Sequence, residues 1–171
     1  SLGCKFIETD VQVSSDGIPY IFHDNDLKRI CDLPYKFDSL SSQEIDNLRI
    51  FGNQKIPKLV DALNTFTSTS FQIDFKTDEV VNPALEVISK SNASERVCVA
   101  SFNSERLNNV RSTHPHLCIS MGPNEVAKML MSSFRIYSGI IPGDCLQIPI
   151  RYYGVRIVTK RFVNYLKSKG I

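Results

Sequence analysis

Apolar and polar positions along the chain switch between a period of two and a period of three to four, which predicts strands interleaved with helices. Residues 4–13 read as a strand rich in β-forming side chains. Ser14-Ser15-Asp16-Gly17 predicts a tight turn, with Asp-Gly as a strong hairpin signal. Residues 18–23 form a second extended piece, and Pro19 argues against a central ladder position for it. Ser41-Ser42-Gln43-Glu44 has the form of a capping box opening a short helix to about Leu48. Pro57 begins an amphipathic helix through about Phe66, with Leu59, Val60 and Leu63 on one face.

The same alternation continues downstream. Residues 71–75 predict a strand, 83–90 a helix and 97–100 a buried strand. Asn103 or Ser104 caps a helix toward Arg111, 117–121 is a strand, and Pro123-Asn124 leads a helix through about Met131. Another strand is expected at 136–141 or at 145–148. Thr159 caps a last helix to Lys169, and Gly170 stops it.

Strand–helix alternation of this kind predicts an α/β fold with a parallel sheet, in one domain spanning 1–171. About five or six β/α units are visible, whereas a closed (β/α)₈ TIM-type barrel usually needs ~250 residues. The chain opens inside a strand and ends where another would start. As a barrel it is therefore expected to cover roughly strands 2 to 6 or 7, with the first and last strands outside it. Open sheet edges of that kind are expected to favour aggregation or dimerisation.

Composition narrows the class. Apolar residues make up 42% and charged residues 22%, which excludes a wholly disordered chain. The longest purely apolar run is residues 97–100, far short of the ~20 a membrane-spanning helix needs. No basic, apolar leader is visible either. Net charge is +2, too small to argue for a nucleic-acid partner. Its distribution is uneven. Residues 1–80 hold 8 basic and 13 acidic side chains, and 81–171 hold 12 and 5. That pattern reads either as an uneven solvated surface or as a cation site near an anion-binding rim. Five cysteines, three of them in apolar stretches and none in a Cys-x-x-Cys pair, point to small core residues and reduced thiols in a reducing, cytoplasmic compartment.

Five residues stand out as chemistry. Glu8 and Asp10 at i and i+2 on a strand point to the same face. Two carboxylates there repel unless a cation joins them, and such oxygen donors suit Mg²⁺ or Ca²⁺; otherwise they are two solvated acids. His23 ends the second extended piece, where a strand meets its loop, and could act as a general acid or base. Asp74 and Lys76 repeat the i, i+2 spacing and read first as a buried ion pair. Were their strand beside that of Glu8, Asp74 would be a third metal ligand and Lys76 would meet an anionic group. His114-Pro115-His116 lies in a loop before a strand and is a weak metal candidate. No glycine-rich phosphate loop and no Gly-x-Ser-x-Gly elbow occur.

The run from Gly3 to Asp24, with Glu8-Thr9-Asp10, Asp16-Gly17 and His23-Asp24 in order, closely resembles the glycerophosphodiester phosphodiesterase family. Further matches are Ile56-Pro57-Lys58-Leu59, the Asp74/Lys76 strand, Val99-Ala100-Ser101-Phe102 and Gln147-Ile148-Pro149. The resemblance implies a (β/α)₈ barrel that hydrolyses glycerophosphodiesters to sn-glycerol 3-phosphate and an alcohol, in lipid and glycerol metabolism. It implies that Glu8, Asp10 and Asp74 ligate a divalent ion and that His23 is one of two acid/base histidines. Lys76 and Phe102 would contact a small-molecule substrate. The family's His-Arg-Gly and Pro-Glu-Asn-Thr segments and its closing strands fall outside the chain, and its third ligand is usually Glu where Asp74 stands here. Two other readings stay open: a barrel-derived phosphodiester-binding or regulatory module without catalysis, and a related phospholipase, for which Tyr152-Tyr153 would be part of a membrane loop.

Overall fold

The computed structural model describes residues 3–171, which divide into two compact units, 3–99 and 100–171.

The first unit is built on a sheet in the order β2-β1-β3-β4. Its strands are β1 (Phe6–Val13), β2 (Pro19–Ile21), β3 (Ser70–Phe75) and β4 (Val97–Ala100). β1 pairs antiparallel with β2 and parallel with β3. Pro19 sits on the edge strand β2, opposite Val13, where its missing N–H does no harm. Val11, Val13, Phe71, Ile73 and Phe75 are buried. Odd-numbered positions of β1 and β3 therefore share one covered face, and even-numbered positions share the other. Helices α3 (Leu59–Thr65) and α4 (Val81–Lys90) bury Leu59, Ala62 and Leu63, and Val81, Ala84, Leu85 and Ile88. Arg96 closes the end of α3 by donating to the carbonyls of Leu63, Phe66 and Thr69 at 2.7–3.1 Å.

Between β2 and α3 the chain makes a small subdomain with α1 (Lys28–Cys31) and α2 (Ser42–Asn47). Its own core joins Tyr20 and Phe22 to Leu27, Phe37, Ile45 and Ile56. The Phe22 and Phe37 rings stack with centroids 4.7 Å apart. Both halves of the expected capping box at Ser41 and Glu44 form. Asp16 of the turn before β2 accepts from the Ser42 backbone N–H at 2.8 Å and bonds the Ser14 and Ser42 hydroxyls. Those bonds hold its carboxyl down at about 2. Tyr20 Oη donates to Asp46 at 2.9 Å, and Lys58 Nζ reaches the same carboxylate at 2.6 Å. The Ile56-Pro57-Lys58 stretch thus ties the subdomain to β2, a bond completed by Ile21 N–H donating to the Pro57 carbonyl.

The second unit contains α5 (Ser104–Thr113), β5 (Cys118–Ile119), α6 (Pro123–Ser133), a hairpin of β6 (Arg151–Tyr152) and β7 (Val155–Arg156), and α7 (Lys160–Ser168). Its core gathers Met121, Met129 and Phe162. Asn103 caps α5, and Thr159 caps α7 by accepting from Phe162 N–H. Gly170 has φ +79, the left-handed geometry of a helix stop.

Three expectations change. No regular strand forms at 136–141 or 145–148; Pro142, Gly143 and Pro149 interrupt it, and a lone parallel bridge between Ser120 and Cys145 remains. The β6–β7 hairpin occupies a stretch where the sequence predicted no element. The cysteines are not core residues: Cys4 and Cys118 are exposed and the other three half-buried. Among the described residues no helix is long and apolar enough to cross a membrane.

Candidate active site

Asp10 on β1 lies directly beside Asp74 on β3 in the parallel register, and Glu8 lies beside Gln72. All three carboxylates therefore rise from the same sheet face. Such a cluster needs counter-charge, and the chain supplies one just past the end of β3. Lys76 Nζ lies 2.6 Å from Asp10 Oδ1 and 2.8 Å from Asp74 Oδ2. Burial works against the Lys76 ammonium, but hydrogen bonds to Asp10 and Asp74 outweigh it and raise its pKa. Burial, then the charges of Asp10 and Asp74, push the Glu8 carboxyl above its ordinary value, with Lys76 and His23 opposing only in part.

Lys76 does not satisfy the whole cluster. Asp74 is 6% exposed, and its Oδ1 is buried with no hydrogen-bond partner among the described residues. An ionised oxygen left so is costly. Three carboxylates on one sheet face, one with a buried, unpartnered oxygen, are of the donor type that a hard divalent cation takes.

His23 is held beside this cluster by a chain of contacts. Phe22 N–H donates to the Asp10 carbonyl at 3.0 Å. The buried Gln12 amide donates to the Asp24 carbonyl and to Asn25 Oδ1. His23 Nδ1 lies 2.6 Å from Asp24 Oδ1. Arg29 grips the same carboxylate with Nε at 2.6 Å and a terminal nitrogen at 3.0 Å. The hydrogen bonds from Arg29, then from His23, lower the Asp24 carboxyl to about 2. An ionised Asp24 accepts only, so Nδ1 carries the proton on that side of the ring and Nε2 is the nitrogen left to exchange one.

Asp10, His23, Arg29, Ile30, Ile50 and Phe51 line one cleft of about 220 Å³. A larger cavity of about 890 Å³ lies in the second unit, lined by Met129, Arg135, Tyr137 and Tyr165, and none of the sequence-predicted site residues borders it.

Glu8, Asp10, His23, Asp74 and Lys76 thus come together in the first unit. Phe102 stands in the second, 82% exposed in the connection between β4 and α5. His114 caps the end of α5 and bonds Thr113 Oγ1, its ring 6.0 Å from that of His116. Gln12 and Arg29 were not singled out from sequence. Gln12 continues the Glu8, Asp10 spacing and was findable; Arg29 reaches Asp24 only through the fold.

The glycerophosphoryl diester phosphodiesterase family model matches residues 1–171. "Probable glycerophosphodiester phosphodiesterase 2" of Mycobacterium tuberculosis is 29% identical over 99% of the chain and 66% of its own length. A glycerophosphodiester phosphodiesterase of Caldanaerobacter subterraneus is 29% identical over 70% of the chain and 55% of its own length. The chain thus spans about two thirds of the first relative and about half of the second. Among solved structures, a glycerophosphodiester phosphodiesterase from Agrobacterium tumefaciens superposes with TM-score 0.74 at 19% identity, over 99% of this chain and 71% of that one. An Oleispira antarctica phosphodiesterase in complex with the product sn-glycerol-3-phosphate gives 0.64 at 24% identity, over 69% and 54%. The fold is accordingly that of the family's TIM barrels. The chain belongs to the glycerophosphoryl diester phosphodiesterase family.

Proposed function

We propose that the protein hydrolyses glycerophosphodiesters to sn-glycerol 3-phosphate and an alcohol, as part of one barrel domain that includes residues 1–171. The observation that carries this reading is the pairing of Asp10 and Asp74 with Lys76, with Glu8 on the same sheet face and His23 on the same cleft as Asp10. Glu8, Asp10 and Asp74 would hold Mg²⁺ or Ca²⁺. Bound there, the ion would supply charge neutralisation at the phosphoryl oxygens.

The side chains divide the remaining work. Lys76 is a compact positive charge between two carboxylates, placed to meet an anionic phosphodiester oxygen. His23 takes or gives a proton at Nε2, because Asp24 holds its Nδ1. Arg29 and Gln12 touch no reacting atom in this scheme; they fix Asp24 and its loop. Phe102 is proposed to contact the substrate.

The test is release of sn-glycerol 3-phosphate from glycerophosphocholine by the full-length protein. Asp10→Asn and His23→Ala are each expected to lose about 10²-fold or more in kcat. Unchanged rates in both variants would remove these roles. Binding of glycerophosphocholine without turnover by the unaltered protein would select the non-catalytic module instead.

A further inference from the structure

The β6–β7 hairpin takes no part in the chemistry above, and its composition is unusual for a solvated turn. Its sequence is Arg151-Tyr152-Tyr153-Gly154-Val155-Arg156. Tyr152, Tyr153 and Val155 are 58%, 90% and 69% exposed. The two tyrosine rings pack edge to face, centroids 4.6 Å apart. Just before the hairpin, Ile150 is 65% exposed. A two-stranded ribbon this short is marginal in water by itself. Its roots are firm: Ile148 and Ile157 pack against the Met121, Met129 and Phe162 core, and Ile157 N–H donates to the Ile150 carbonyl. A rooted ribbon thus carries an aromatic tip outward.

The turn holds that tip at a cost. Tyr153 has φ +46 and Gly154 φ +80. Asn or Gly usually fills the first of these positions, and an aromatic residue there is strained. Strain kept at an exposed aromatic residue marks a site of contact rather than of folding.

Charge then identifies the partner. Residues 145–171 contain six Lys and Arg and no Asp or Glu. Arg151 and Arg156 bracket the tip, their guanidinium groups donating to the Gly154 and Val158 carbonyls. On α7, Lys160, Arg161 and Lys167 are exposed. Arg161 lies 4.4 Å over the ring of Phe134, itself 49% exposed. Exposed tyrosines flanked by Arg and Lys match the interface of an anionic bilayer. There, tyrosine sits at headgroup depth and cationic side chains meet phosphate and carboxylate.

We propose that the β6–β7 hairpin and the basic side of α7 dock on an anionic phospholipid surface, Tyr152 and Tyr153 entering the headgroup layer. This holds whether or not the proposed hydrolysis is correct, because its readout is binding.

The experiment is co-sedimentation of the full-length protein with phosphatidylcholine vesicles, with and without about one-third phosphatidylserine. Binding is expected to be about tenfold stronger to the anionic vesicles and to fall steeply with added salt. The double variant Tyr152→Ser/Tyr153→Ser is expected to bind about tenfold more weakly, with unchanged melting and unchanged hydrolysis of soluble glycerophosphocholine. Should that variant fail to fold, Lys160→Gln/Lys167→Gln tests the same surface through charge alone. The proposal is overturned by no binding, by equal binding to neutral vesicles, or by binding that survives the substitutions. It is also overturned if the tyrosine variant turns a dimer into a monomer in ultracentrifugation, which would make the hairpin a contact between copies.

Discussion

Arg29 gives two hydrogen bonds to Asp24, and Asp24 in turn fixes Nδ1 of His23, so the orientation of the candidate acid/base group depends on an arginine six residues further along the chain. The Asp24 carboxyl lies at about 2, below the ~3.9 of an unfolded chain. Folding therefore favours its ionised form. The stability this contributes is complete above the unfolded value and is lost as pH falls through about 2. Arg29→Ala removes the largest cause of the lowering. Carbon-13 NMR of the Asp24 carboxyl is expected to show its titration rise toward the ordinary Asp range; a midpoint still near 2 would show that His23 alone suffices. The Glu8/Asp10 and Asp74/Lys76 spacings were legible because strand alternation alone puts i and i+2 on one face. Arg29 was not, because its partner is set by the loop after β2 and by α1, and a polar residue in a four-residue helix carries no periodic signal.

Among the elements, α2 shows how a local signal reaches the site. Ser41 Oγ accepts from Glu44 N–H, and the Glu44 carboxylate accepts from Ser41 N–H at 2.8 Å. The helix so started holds Ile45 in the core shared with Phe37 and Phe22, next to His23. Ser41→Ala is expected to cost about 1 kcal/mol, read as a lower urea midpoint at unchanged slope. A shift of only a few tenths would mean that the Asp16 bonds to Ser42 hold the helix start unaided. Caps at Ser41, Asn103 and Thr159 were legible because a cap is written in four consecutive residues. The β6–β7 hairpin was not, because its turn is Tyr-Gly rather than Asn-Gly or Asp-Gly and each strand has two residues. The apolar 136–141 and 145–148 runs misled for the opposite reason. They have strand composition, but the prolines and Gly143 around them leave a ladder only the single bridge to Cys145.

At the scale of the whole molecule, charge is divided as the structure is: residues 1–99 carry net −5 and residues 100–171 net +7. The acidic unit holds the carboxylate cluster, so its surroundings favour a cation at the place where Asp74 Oδ1 has no hydrogen-bond partner among the described residues. An ion that binds only the folded chain stabilises it by mass action, about 2.7 kcal/mol at a hundredfold excess over Kd. Mg²⁺ or Ca²⁺ is therefore expected to raise the melting temperature of the full-length protein, and a chelator to reverse the rise. Protons compete for the same oxygens. With Glu8 raised above the ordinary carboxylate value, the ion's effect is expected to fade in mildly acidic solution and to grow as Glu8 ionises. Lys76 supplies the control. Lys76→Met removes the ammonium that neutralises Asp10 and Asp74, so this variant is expected to melt lower without ion and to gain more than the unaltered protein when ion is added. Asp10→Asn is expected to lose the gain. Equal gains in the unaltered protein and in Asp10→Asn would place the ion elsewhere and leave Asp10 and Asp74 as the ion pair with Lys76 alone.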